Sequence, residues 1–337
     1  MPNWLGDAVM GTVALIALKK RYPEAKVTVL GRPAHEELLR GLPEMDAFIP
    51  LARKRKGGAV VVRQGLALRG MGFDLGVLLP NSFSSAAIFF IAGIRHRIGY
   101  DLRNGRGPLL TRKMRPAMEG RRRVPTPMTE YYLKLLSLVD AEFPPFNPRL
   151  AVLPDEEAAL ERYLAAHPLP PGDGPLVLLN PGASFGPSKL WRGAAFAEVG
   201  DRLQETLGAR VVVLAGPGEE GLASEISGAM RRPHLAAVPE ILGLRELKAL
   251  VRRSDLLITT DAGPRHLAVS FDRPLIVLMG STDPRYTSYG LELTTLIRKD
   301  VHCSPCHLKV CPIDHRCMER ISAEEVVAAA RERLRRS

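Results

Sequence analysis

The 337-residue chain has no run approaching the roughly 18 consecutive apolar residues of a membrane-spanning helix, and its first residues lack the basic stretch and apolar core of a secretory leader. These absences predict a soluble, cytosolic protein. Aromatic residues are scarce at 6%, with two tryptophans. Cysteine is scarcer, with four residues, all between Cys303 and Cys317. A dinucleotide fingerprint is also missing. The one match by letter, Gly216-Pro217-Gly218-Glu219-Glu220-Gly221, puts two carboxylates where a pyrophosphate would lie, which disfavours a nicotinamide oxidoreductase.

Acidic residues are what the first half lacks most. Residues 1–155 hold 24 Lys and Arg against 13 Asp and Glu, and residues 156–337 hold 23 of each, so the whole net charge of +11 belongs to the first half. Within it, residues 95–123 carry ten basic side chains against only Asp101 and Glu119. Such density calls for an anionic partner: nucleic acid, an acidic membrane surface or a polyanionic substrate. An RNA-binding module would need aromatics interleaved with the arginines for stacking, and this stretch offers only Tyr100, so no nucleic acid is expected.

What is present is alternation of strands and helices. Residues 2–23 read as a loop opening a helix, followed by strand 26–30, helix 33–40, strand 47–51, helix 60–69, strand 73–79 and the polar loop Pro80-Asn81-Ser82-Phe83-Ser84-Ser85 before an apolar helix. A loop and helix that open an α/β domain normally follow a strand, so either a strand lies upstream of Met1 or the sheet lacks its first strand. Pro- and Phe-rich residues 143–148 read as a linker. The second half repeats the pattern, with strands at 176–179, 210–215, 256–259 and 275–279 and a last helix at 322–335 opened by the Ser322/Glu325 capping pair. Its central stretch, LVLLNPGASFGPSKLW at 176–191, is a strand buried on both faces that empties into a loop of small residues ending in Lys189 and Trp191. Backbone amides of such a loop can approach an anion closely, and Lys189 adds a mobile positive charge.

Four motifs in order, PNWLGDAVM at 2–10, LLPNSFSSA at 78–86 with AGIRHRIGY at 92–100, NPGASFGPSKLW at 180–191, and TTDAGPRHLA at 259–268 followed by RPLIVLMGSTDP, resemble the heptosyltransferases of glycosyltransferase family 9, the ADP-heptose:lipopolysaccharide heptosyltransferase II group above all. The resemblance implies a GT-B fold of two Rossmann-like parallel-sheet domains: 1–153 binding the acceptor, 154–321 binding the nucleotide-sugar, and a C-terminal helix, 322–337, returning toward the first domain. It implies inverting, metal-independent transfer of L-glycero-D-manno-heptose from ADP-heptose to the acidic inner core of lipopolysaccharide, at the cytosolic face of the inner membrane and in peripheral contact with it. A family 9 transferase for another acceptor or nucleotide-sugar is the alternative.

Each role in that chemistry has a candidate. Asp7, a lone carboxylate at a Gly turn, matches the family's catalytic base, and it also suits an N-cap for a helix from Ala8. Lys189 and Ser184 meet the leaving diphosphate, joined by the backbone N–H groups of Ala262, Gly263 and Arg265 where Pro264 opens a helix. Asp261 organises its loop or accepts from a sugar hydroxyl, His266 is a packing residue, and Glu219 or Glu220 accepts from the ribose. Asn81 and Ser82 are placed to touch acceptor hydroxyls, and Arg95, Arg97 and Arg103 to pair with acidic core sugars or their phosphates. Cys303, Cys306, Cys311 and Cys317, spaced C-x2-C-x4-C-x5-C, point to a structural zinc site, ahead of reduced thiols and of disulfides; nothing points to a catalytic metal.

Overall fold

The structure is a computed structural model, and it describes residues 1–52, 58–120 and 122–336; Arg121 of the basic stretch lies outside them. It divides into two compact units, one of residues 1–148 with 285–287, the other of residues 149–284 with 288–337.

The first unit contains α1 (Leu5–Met10), α2 (Thr12–Arg21), β1 (Thr28–Gly31), α3 (Pro33–Leu39), β2 (Ala47–Pro50), α4 (Gly58–Leu68), β3 (Leu75–Leu78), α5 (Phe83–Ile91), β4 (His96–Tyr100), β5 (Arg112–Met114), the small antiparallel pair β6 (Met118–Glu119) and β7 (Arg122–Arg123), and α6 (Met128–Leu135). Its parallel strands do not form one sheet. β1 pairs with β2, and β3 pairs with β4 and β4 with β5, but β1 and β3 are not joined. Between them lies a cavity of 1110 Å³ lined by Val27–Leu30 on one side and Phe73–Val77 on the other. The Met1 amine enters this seam and donates to Leu30 O at 2.6 Å. Burial depresses that amine to a pKa of about 5.

The second unit contains α7 (Pro154–Ala166), β8 (Leu176–Asn180), α8 (Gly193–Leu207), β9 (Arg210–Val213), α9 (Glu220–Ala229), β10 (Leu235–Ala236), α10 (Leu244–Arg253), β11 (Leu256–Thr260), α11 (Gly263–Ser270), β12 (Leu275–Leu278), β13 (Thr294–Ile297), α12 (Arg316–Glu319) and α13 (Ala323–Arg336). Six parallel strands run in the order β10-β9-β8-β11-β12-β13, the doubly wound arrangement. Every residue of β8, β11 and β12 is buried, as their unbroken apolar runs require between two helical layers. At about 2 kcal/mol for each fully buried Leu or Ile, this sheet supplies much of the unit's stability. Lys248 of α10 and Glu156 of α7 meet at 2.9 Å with no exposure at all, fastening the two helices to one another. Chain order reverses between β8 and β11, so the loops leaving their carboxyl ends are where such a sheet holds its ligand.

α13 packs on α8 and on β11 and β12, and its start is closed by the expected pair: Glu325 N donates to Ser322 Oγ while Ser322 N donates to Glu325 Oε2. Among the described residues no helix is long and apolar enough to cross a membrane.

Candidate functional site

In the second unit, the loops after β8 and β11 converge on one carboxylate. Lys189 Nζ donates to Asp261 Oδ2 at 2.6 Å and to its backbone carbonyl at 2.8 Å. Arg265, one helical turn further on, donates to Oδ1 at 2.8 Å, and Thr282 Oγ1, from the loop after β12, reaches Oδ2 at 2.8 Å. Burial by itself would raise the Asp261 pKa, but Arg265 and Lys189 outweigh it and hold the carboxyl well below the usual range. Asp261 is therefore a permanently ionised hub, which agrees with the loop-organising role and leaves it unsuited to be a base. Beside it His266 is buried against Tyr289, to which its Nδ1 is hydrogen-bonded, and burial with the adjacent Arg265 lowers its pKa to about 3. The ring is neutral at physiological pH, the behaviour of a packing residue.

Around this hub the strand ends are tied together. Asn180 Nδ2 donates to Thr259 Oγ1 at 2.9 Å, and Thr260 Oγ1 donates to Gly182 O at 2.6 Å. Gly182 leaves room for a neighbour: a Cβ there would displace the carboxylate of Glu219, which folds back to accept from Gly216 N at 3.0 Å. Glu220 begins α9 and is half-buried, and Ser184 is exposed at the crest of the loop. Of the three amides expected to face a diphosphate, two are engaged within the protein. Ala262 N donates to Thr260 O at 2.8 Å and Arg265 N to Ala262 O at 3.3 Å. Gly263, the first helical residue, keeps an amide without a partner inside its own helix.

The four cysteines expected to hold zinc, Cys303, Cys306, Cys311 and Cys317, gather in one segment after β13. Among the described residues no group of three or more His, Cys, Asp or Glu side chains is arranged to hold a metal ion. All four stand as free thiols. Cys317 is drawn into the core, its Sγ against Gly280, and its thiol is pushed up by burial and by the neighbouring Cys303, Cys306 and Cys311. The segment braces the Lys189 loop: Ser188 N donates to Lys309 O at 3.0 Å, Ser281 O accepts from Cys306 N at 3.1 Å, and His315 Nε2 lies 2.8 Å from Ser188 O.

In the first unit, α1 begins at Leu5 with Trp4 at the N-cap position, so Asp7 stands in the first turn and is not the cap. Its half-buried position follows from the helix, whose Gly6, Ala8, Val9 and Met10 are buried around it. The end of α1 is anchored where Gly11 meets Leu79 at the carboxyl end of β3. There a cavity of 460 Å³ is lined by Asn3, Arg32, Gln64, Ser82, Ser84 and Ser85 among others. Ser82 caps α5 by accepting from Ser85 N at 3.2 Å, and Asn81 Nδ2 donates to Tyr131 Oη at 3.0 Å while its buried Oδ1 finds no partner.

The arginines divide. Arg95 and Arg103 are exposed. Arg97 is half-buried, its guanidinium donating to the carbonyls of Leu109 and Ile94 and lying over the Phe90 ring. Two buried arginine side chains at these sites had no place in the sequence reading. Arg265 was legible from its i,i+4 spacing to Asp261, whereas Arg106, fully buried with Nη1 on Pro80 O at 2.6 Å, looked like any other arginine of the basic stretch.

Comparison with known proteins gives the family and the fold. The family described as glycosyltransferase family 9 (heptosyltransferase) matches residues 61–316. Lipopolysaccharide heptosyltransferase 2 of Salmonella typhimurium is 29% identical over 300 residues, covering 85% of this chain and 83% of its own. A lipooligosaccharide heptosyltransferase 2 of Campylobacter jejuni is 26% identical over 343 residues, covering 100% and 98%. Among solved structures, ADP-heptose lipopolysaccharide heptosyltransferase II of Escherichia coli superposes with a TM-score of 0.81 at 25% identity, covering 99% of this chain and 97% of that one. A family 9 glycosyl transferase from Veillonella parvula superposes at 0.85 with 19% identity, covering 100% and 96%. The fold is GT-B, built from two α/β units.

Proposed function

Because the chain belongs to glycosyltransferase family 9, the heptosyltransferases, we propose that it moves L-glycero-D-manno-heptose from ADP-heptose to the inner core of lipopolysaccharide with inversion at the anomeric carbon. The observation that carries this reading is the buried Lys189–Asp261–Arg265 cluster at the switch point of the second sheet, a cationic site of the kind a nucleoside diphosphate requires. Lys189, the Gly263 amide and the Ser184 hydroxyl meet the diphosphate, and Glu220 accepts from the ribose. Asp261 fixes the lysine where the charge develops.

The first unit receives the acceptor. A carboxylate oxygen of Asp7 takes the proton of the acceptor hydroxyl as its oxygen attacks the anomeric carbon from the face opposite ADP. The bond from that carbon to the β-phosphate oxygen breaks, and ADP departs with the negative charge that Lys189 receives. The fixed cations do this without a metal ion. Asn81 and Ser82 contribute polar contacts to the acceptor, and Arg95 and Arg103 pair with its anionic groups. The enzyme works on the cytosolic side of the inner membrane, in peripheral contact with it, where the lipid-borne acceptor is found.

A thermal-shift panel of nucleotide diphosphates and their sugars tests the donor, with selective stabilisation by ADP-heptose expected. Asp7→Ala should keep that shift and lose transfer. Full activity in Asp7→Ala refutes the base, and preferential stabilisation by another nucleotide-sugar refutes the donor.

A further inference from the structure

The outer face of α4 is built the wrong way round for a helix in water. Val62 and Leu66 are 46% and 50% exposed, and with Ala59 and Ala67 they form a stripe at i, i+3, i+7 and i+8, while the polar Gln64 points inward to accept from Ala52 N. Helix α5 packs directly beside it: Gly65 allows so close a crossing that a Cβ there would sit 2.6 Å from Ile91 Cβ. α5 adds two exposed phenylalanines, Phe83 at 53% and Phe90 at 52%. Two neighbouring helices thus each present large apolar side chains to solvent, more than singly scattered exposed residues would.

The sequence of these helices and their flanks carries charge of nearly one sign. Between residues 58 and 100 the only carboxylate is Asp74, against Arg63, Arg69, Arg95 and Arg97. Arg63 lies within the apolar stripe and Arg69 follows the helix, both exposed. An apolar face edged with arginine and free of carboxylate matches an interface of buried acyl chains beneath anionic headgroups. It fits a folded protein partner less well, since nothing in the patch offers an acid or a directed hydrogen bond.

We propose that the paired α4–α5 face is a membrane-docking surface that seats the first unit on an anionic bilayer through Val62, Leu66 and Phe90, with Arg63 and Arg69 at the headgroups. This deepens the reading above, on which the acceptor is lipid-borne: the loop at residues 80–85 that lines the 460 Å³ cavity runs into the amino end of α5, so docking this face brings that cavity to the lipid.

Flotation of the full chain with phosphatidylethanolamine–phosphatidylglycerol vesicles, against phosphatidylcholine alone, tests it. The wild type should float with the anionic vesicles and lose binding as salt rises, and Val62→Glu/Leu66→Glu should reduce the bound fraction at least about tenfold. The double variant should melt like the wild type and transfer to a deacylated, water-soluble acceptor at the same rate. A wild type that transfers to the soluble acceptor but does not float overturns the docking surface and leaves the function standing, as does a double variant that floats equally well. Flotation abolished by the double variant, with no transfer by either protein, supports the surface and overturns the function.

Discussion

Lys189 Nζ and the Asp261 carboxylate lie 2.6 Å apart with side chains only 12% and 9% exposed, so removing Asp261 strands the lysine, whereas Asp261 without Lys189 keeps Arg265 and Thr282. Asp261→Ala should destabilise the second unit by about 3 kcal/mol or more, because Lys189 and Arg265 would both face a site without their counter-charge. Lys189→Ala should melt closer to the wild type yet lose turnover as well as donor affinity. A loss of affinity alone, read from kcat and KM separately, would reduce the lysine to a binding feature.

Gly182 is held small by Glu219. Gly182→Ala should displace that carboxylate and weaken nucleotide binding, and Gly182→Ala/Glu219→Gly should recover part of it. Calorimetric titration with ADP on the three proteins checks this, and an unaltered affinity in the single variant would remove the steric argument.

His266 gives the second unit an acid-sensitive element. Its folded pKa, about 3, lies below the ordinary 6.5, so between those values the unfolded chain binds a proton that the native chain refuses. Stability is present above pH 6.5 and declines as pH falls toward 3. Imidazole resonances should show His266 neutral at pH 5 while exposed histidines are protonated, and His266→Gln should flatten the pH dependence of the urea midpoint. A His266 resonance that titrates near 6.5 contradicts its burial.

Thiol reactivity should follow exposure. Cys306 should react first with a disulfide reagent, Cys303 and Cys311 more slowly, and Cys317 only on unfolding. Four protected thiols with one zinc per chain would establish the metal site.

The second unit was far more legible in the sequence than the first. β8 and β11 announce themselves as unbroken apolar runs, and Ser322 with Glu325 marks the start of α13 almost to the residue. In the first unit, β4 and β5 fall inside the basic stretch, where Arg97 and Arg112 interrupt the apolar pattern that marks the strands of the second unit. Arg97 looked like a free charge because nothing local shows that the carbonyls of Leu109 and Ile94 will surround it. Asp7 was misplaced by three residues of helix, since Trp4 is a poor capping type and Asp a favoured one. The Lys189–Asp261 pair joins positions 72 apart in the chain, and only the parallel register of β8 with β11 brings them together. C-x2-C spacing is a local signal, and nothing in it shows that Cys317 also packs into the core behind Gly280.

The seam between β1 and β3 makes the first unit open more readily than the second. In the second unit each interior strand is bonded on both sides, so amides of β8 and β11 should exchange with solvent deuterium only through global opening. The strands bordering the seam have one unpaired edge each, in the middle of what would otherwise be a single sheet, and a buried amine is the ligand of Leu30 O. Their inward amides should exchange orders of magnitude faster than those of β8. An apolar strand of about five residues, fused ahead of Met1 to span the seam, should slow that exchange toward the rate of the second unit.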